Sequence, residues 1–429
     1  MNKLFVIIFG IISMISIVGY VITIPTIAFS SNTFNELLKK SVLIKDKEEE
    51  IRKSVTNANA SDYNDTIFQF KKAPEFQNIE GGININNGST PVTIASLKGK
   101  VVLVNFWTYS CINTLRTLPY LIDWDAKYSD SGLVIVGIHT PEFEFEKNTE
   151  NVQSAVHRYG IKYPVLQDNE YGTWNVYENN YWPRMYLIDA QGYIRYDKIG
   201  EGDYDQTEKI IQSLLNERNS INKDIKNIDS KNNTFSHYKN NDTQNNNMNS
   251  INSFLSQPLD FSKIKTPELY FGNQSARSAL GNPEGIHPGQ TVNYSLPLQS
   301  SPNSSSTSKI SIEPSTIYLE GLWKNNADNL ELQSDTGRIL LNYSAKSINM
   351  VLGMNSSVDK SQSQVTVYED DSLISNNYKG IDIVDNGNFV IKEPRLYNIV
   401  NHPSYENNYH SLLIDIKGKG FQAYVFTFG

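Results

Sequence analysis

Cys111 is the only cysteine in the 429-residue chain, so any thiol chemistry must run through it. It follows Trp107-Thr108-Tyr109-Ser110 and precedes Ile112-Asn113-Thr114, where an apolar run hands over to a helical pattern. A cysteine in the first turn of a helix meets unpaired backbone N–H groups and the positive end of the helix dipole. Both favour the thiolate, which is the reactive form. The competing reading is a buried cysteine acting as a small hydrophobe, and spacing leaves the two open. Pro119 interrupts the same helical pattern. Pro183, in Tyr181-Trp182-Pro183-Arg184, is the natural candidate for a cis bond that sets backbone beside the cysteine; otherwise it is a strand-entry proline. Six scattered histidines and one cysteine do not form zinc-type spacings, and no Gly-rich phosphate loop follows a strand. Neither a metal nor another cofactor is expected.

The elements that must position Cys111 can be read from periodicity. Val101 to Phe106 is a continuous apolar run, as in a strand covered on both faces. Cys111 to Lys127 reads as a helix with Ile112, Leu115, Leu118 and Ile122 near one face. Leu133 to Ile138 is a second buried strand, and Val152, Ala155, Val156 and Tyr159 mark an amphipathic helix. Met185 to Asp189 and Tyr193 to Tyr196 are strands around Ala190-Gln191-Gly192, and Ile210, Leu214 and Leu215 mark a last helix. This order predicts an α/β fold with a mixed central sheet. From about residue 266 onward, short β-type runs alternate with Asn, Gly, Ser and Asp turns, which predicts an antiparallel β-sandwich.

Two domains suit this length. The predicted layout is a signal anchor or signal peptide over 1–30, a stalk over 31–66, an α/β domain over 67–218, an Asn-rich linker over 219–256 and a β-sandwich over 257–429. Leu4 to Phe29 carries no charge and is long enough to cross a bilayer, so the rest of the chain is expected outside the cytoplasm. It is membrane-anchored in one reading and secreted if the segment is cleaved. The formal net charge of −8 and the lack of a basic stripe argue against nucleic acid. Asn-x-Ser/Thr sequons are no more frequent than so Asn-rich a chain supplies by composition.

Several motifs together carry a family resemblance. Ala73-Pro74-Glu75-Phe76, Leu97-Lys98-Gly99-Lys100 and the Phe-Trp before the cysteine resemble thioredoxin-like domains of the TlpA type and the AhpC/redoxin superfamily. Trp107 to Asn113, Thr117-Leu118-Pro119-Tyr120 and His139-Thr140-Pro141-Glu142 resemble the extracytoplasmic part of DipZ-type proteins. Thr266-Pro267-Glu268, Glu393 to Tyr397 and Ala423 to Gly429 fit the same group. The resemblance implies a thioredoxin fold followed by a jelly-roll-like module similar to carbohydrate-binding domains.

One departure governs the chemistry. The family's resolving cysteine would fall at position 114, where this chain has Thr114. A dithiol enzyme uses its second thiolate to release the substrate from a mixed disulfide. Threonine cannot do so, although it can donate a hydrogen bond to a Cys111 thiolate. Three functions remain. Cys111 forms mixed disulfides resolved by an exported thiol protein or a small-molecule thiol; or it reduces peroxides, with Thr108 to Cys111 partly resembling the Thr-x-x-Cys of peroxiredoxins but Val104 in place of their proline; or both domains are recognition modules, the second for a cell-surface glycan. The resemblance puts Glu142 near the thiol as a tuning or proton-shuttling acid. Trp107 and Trp182 are expected to form an apolar platform for a peptide. Trp323, Tyr270, Phe271 and Tyr397 are either sugar-stacking or core aromatics.

Overall fold

The computed structural model describes residues 70–85, 91–225, 251, 253–257, 259–274, 280–296, 312–355, 357 and 363–429. The expected anchor, the stalk and most of the linker lie outside these residues. Among the described residues, no helix is long and apolar enough to cross a membrane.

The first part of the chain builds β1 (Gly81–Ile83), β2 (Val101–Trp107), α1 (Ile112–Leu115), α2 (Leu118–Tyr128), β3 (Leu133–His139) and α3 (Thr149–Arg158). It continues with β4 (Val165–Gln167), α4 (Gly172–Val176), β5 (Arg184–Ile188), β6 (Ile194–Ile199) and α5 (Tyr204–Ile225). The sheet runs β1-β4-β3-β2-β5-β6. Strands β2, β3 and β4 are parallel, while β1, β5 and β6 join antiparallel. Side chains alternate across β2, as a period of two requires. Val101, Leu103 and Trp107 face one core layer, and Val102, Val104 and Phe106 face the other. Every residue of β2 and β3 is buried, which accounts for their uninterrupted apolar runs. Helix α5 runs to Ile225, with Ile211 and Leu214 on its buried side.

The helix expected over Cys111–Lys127 is two helices. Pro119 lacks the N–H that would bond back to Leu115, so the ladder breaks at Arg116 and Thr117. The same proline is welcome in the first turn of α2, where N–H groups have no intrahelical partner.

The later strands are β7 (Leu269–Tyr270), β8 (Thr291–Tyr294), β9 (Ile317–Asn325), β10 (Leu330–Leu332), β11 (Thr336–Tyr343) and β12 (Ser347–Met354). They continue as β13 (Gln364–Glu369), β14 (Ser372–Leu373), β15 (Asn388–Val390), β16 (Arg395–Asn401), β17 (His410–Lys417) and β18 (Phe421–Phe428). One sheet runs β14-β13-β17-β11-β9 and the other β10-β18-β12-β16, forming a sandwich through which β9 threads. The first half of β9 pairs β11; from Gly321 onward it pairs β8 and β10. Gly321 makes that change of direction at φ 108°, a conformation that side-chain-bearing residues avoid. The sandwich does not stand apart. Val351, Leu396, Tyr424 and Val425 share one apolar cluster with Leu115, Leu118, Trp124, Val152 and Val156 of the α/β part, and Phe254 and Leu255 join it.

A polar cluster braces β11, β13 and β17. The Tyr343 hydroxyl donates to the Glu369 carboxylate, to which His402 Nε2 also lies at 3.0 Å. His410 is 2.8 Å from Asp370 and 3.3 Å from Glu406. Burial works against charge on His410, but the hydrogen bond and charge of Asp370, with Glu369 and Glu406, outweigh it and hold the ring above its usual pKa. A raised histidine stabilises the fold below its unfolded pKa of about 6.5, and that contribution is lost as pH rises through the folded value. Stability should therefore fall as pH rises above about 6.5. Urea unfolding of His410→Gln should show that slope flattened.

Candidate active site

The site is assembled where the carboxyl ends of β2 and β3 meet. Strand β2 ends at Trp107, and four residues later Cys111 caps α1 with extended backbone, φ −82° and ψ 116°. Cys111 Sγ lies 4.0 Å from the carbonyl oxygen of Trp182, and the Trp182–Pro183 peptide is cis. Thr114 sits one helical turn after Cys111. It is fully buried, and among the described residues its hydroxyl has no hydrogen-bond partner. Glu142 follows β3 in the facing loop and is half-buried. The structure thus brings together Cys111, Thr114, Glu142 and the cis Pro183 segment.

The thiol itself is not activated. Burial pushes Cys111 up from 9.0 to about 12, and the charge of Glu142 adds to the rise, with a smaller push from Glu268. Thr114 pulls the other way and does not win. Spacing left an activated and a buried cysteine open, and burial here raises the thiol more than the helix start lowers it. Helix α1 is a single turn of four residues, so few peptide dipoles align behind the sulfur.

Trp107 is corrected: it is fully buried beneath the site, with its ring edge-on to His139 at 5.3 Å, and offers no platform. Burial pulls His139 down to about 3, so that ring is neutral core. Trp182 is half-buried against Trp174, and its Nε1 donates to the Thr140 carbonyl at 3.0 Å.

Sequence reasoning missed Glu146. This carboxylate is fully buried, yet five donors converge on it. Oε1 accepts from the hydroxyls of Thr108 at 2.5 Å and Ser110 at 2.6 Å, and from the Ser110 N–H at 3.3 Å. Oε2 accepts from the N–H groups of Glu142 at 2.6 Å and Phe143 at 3.0 Å. Glu146 therefore ties the loop that delivers Cys111 to the loop that delivers Glu142. It also occupies Thr108, the residue that a peroxiredoxin-like site would turn toward the cysteine.

The second wall of the site comes from the β-sandwich. Tyr270 on β7 donates its hydroxyl to Glu142 Oε1 at 2.8 Å. Tyr424 of β18 packs edge-on to Phe143 at 5.1 Å and Phe145 at 4.7 Å. Arg158 of α3 pairs with Glu393.

With this geometry, two domain families match. The AhpC/TSA family matches residues 70–197, and the thioredoxin like C-terminal domain matches residues 266–429. Protein DipZ of Mycobacterium bovis is 46% identical over 164 residues, covering 38% of this chain and 24% of that protein. Over those residues the chain is similar to DipZ. It spans about a quarter of the length of that relative. Thiol-disulfide oxidoreductase YkuV of Bacillus subtilis is 26% identical over 118 residues, 28% of this chain and 79% of that protein. Thiol-disulfide oxidoreductase ResA of Bacillus thuringiensis is 28% identical over 146 residues, 34% of this chain and 77% of that protein. Together these make the chain thiol-disulfide oxidoreductase-like, with a thioredoxin-like domain followed by a β-sandwich.

The role of Glu146 can be measured. Glu146→Ala strands the Glu142 and Phe143 N–H groups and should cost about 3 kcal/mol in urea unfolding. Glu146→Gln keeps one acceptor oxygen for those two groups and lets the hydroxyls of Thr108 and Ser110 rotate to accept. It should cost less than half as much.

Proposed function

We propose that this protein is an extracytoplasmic thiol-disulfide oxidoreductase of monothiol type, with Cys111 forming mixed disulfides that an external thiol resolves. The observation that carries the reading is Cys111 Sγ set 4.0 Å from the Trp182 carbonyl at a cis proline, in a thioredoxin-like domain whose homologues are thiol-disulfide oxidoreductases. The uncharged run Leu4 to Phe29 supports a location outside the cytoplasm.

The chemistry balances with one cysteine. Cys111 sulfur attacks one sulfur of a disulfide, the S–S bond breaks, and the thiol proton ends on the departing sulfur. A second, external thiol then attacks the mixed disulfide, leaves carrying the substrate as a new disulfide, and returns the proton to Cys111. Thr114 cannot take that second step, so the mixed disulfide lasts until the external thiol arrives. Trp182 and the cis Pro183 backbone form the side along which an extended thiol or disulfide peptide approaches.

A second reading is a binding protein with an idle thiol. A cysteine raised to about 12 is almost wholly protonated at neutral pH, which favours that reading. The expected glycan partner gains no contact from Trp323, Phe271 or Tyr397, which are buried in the sandwich, while Tyr270 faces Glu142.

The two are separated by an aromatic disulfide probe. In the oxidoreductase reading the full chain releases one equivalent of aromatic thiol per Cys111, the mixed disulfide persists after desalting, and added glutathione frees it; Cys111→Ser releases none. A native chain that releases no thiol, yet does so when unfolded, would leave the binding reading.

A further inference from the structure

We propose that Tyr270 is a positioning residue of the thiol site: its hydroxyl pins the Glu142 carboxylate beside Cys111, so the β-sandwich sets how readily the thiol reacts. The proposal rests on the reading of Cys111 as the working thiol and goes beyond it, because it assigns part of the site to the C-terminal domain.

Both ends of Glu142 are held. Its backbone N–H is fixed on Glu146 Oε2 at 2.6 Å, and the other oxygen of that carboxylate holds Ser110, the residue before Cys111. Its own carboxylate takes the Tyr270 hydroxyl at 2.8 Å. Tyr270 is itself rigidly placed. It pairs with Val425 in the β7–β18 ladder, and the next N–H, of Phe271, donates to the Tyr424 carbonyl at 2.8 Å. The Tyr270 ring lies 6.5 Å from that of Phe143, beside the Phe143–Tyr424 contact. A half-buried glutamate without such a donor would turn toward water, where its charge is screened. Held in place, it faces the thiol at low dielectric and opposes a second negative charge on sulfur. The shifts agree with this geometry. Glu142 and Glu268 both raise Cys111, and the Cys111 charge in turn raises Tyr270. Thr114 and the Tyr270–Glu142 pair thus act on the sulfur in opposite directions.

The test is the rate of Cys111 alkylation by iodoacetamide across pH in the full chain. Tyr270→Phe keeps the ring and its packing and removes only the hydroxyl. Its rate-against-pH curve should move to lower pH, with alkylation about fivefold faster near pH 8. Glu142→Gln should do the same, and the double variant should be no faster than Glu142→Gln alone, since both changes remove one device. A role of Tyr270 in packing alone would lower the melting temperature and leave the curve in place. A Tyr270→Phe curve that overlies the wild type overturns the proposal, as does a double variant whose effects multiply. Alkylation needs no disulfide partner, so a chain that shows the shift but forms no mixed disulfide would sink the proposed activity and leave this inference standing.

Discussion

A buried carboxylate that pairs with no cation among the described residues organises the site. Moving an isolated ionised carboxylate out of water costs several kcal/mol or more, and Glu146 meets that cost with five converging donors. Burial still raises its pKa despite those donors. The donors come from two separate loops, so satisfying one charge fixes both. Cys111 follows directly from the first loop and Glu142 belongs to the second. Tyr270 then holds the carboxylate of a Glu142 whose backbone Glu146 has already fixed.

Magnitudes decide the state of the sulfur. A helix end is worth typically 0.3–1 kcal/mol to a nearby charge, and less when the helix is a single turn. A rise from 9.0 to about 12 corresponds to about 4 kcal/mol against the thiolate. Burial and the neighbouring carboxylates therefore outweigh the helix start and Thr114 together. The resting thiol is protonated, and its reactivity depends on how the two domains hold Glu142. Threonine at 114 puts a hydroxyl where a resolving cysteine would supply a nucleophile.

Much of the fold was legible because its strands are long and buried. The runs from Val101 and Leu133 in the first part became strands, and the short β-type runs of the second became a sandwich. Strands β1, β4, β7 and β10 were missed because two or three residues are too few to show a period. The pairing of Leu269 and Tyr270 with β18 depends on residues some hundred and fifty positions away. The helix after Cys111 read as unbroken because Ile112, Leu115 and Leu118 keep helical spacing across the break, although Pro119 marked it. Cys111, Thr114, Glu142 and Pro183 were found by resemblance and motif. Glu146 was not, because Glu142-Phe143-Glu144-Phe145-Glu146-Lys147 reads as a solvated charged segment. Its alternation of phenylalanine and glutamate was the available signal that one of these acids turns inward. Trp107 was misplaced because a tryptophan beside a cysteine reads equally as platform or core, and only its position on a strand buried on both faces decides.

The central claim is that the assembled protein keeps Cys111 protonated through burial and a fixed Glu142. Ultraviolet absorbance of the thiolate, titrated in the native full chain against Cys111→Ser, measures this directly. The account predicts no thiolate signal below about pH 10. A Cys111-dependent absorbance step between about pH 6 and 8 would contradict it.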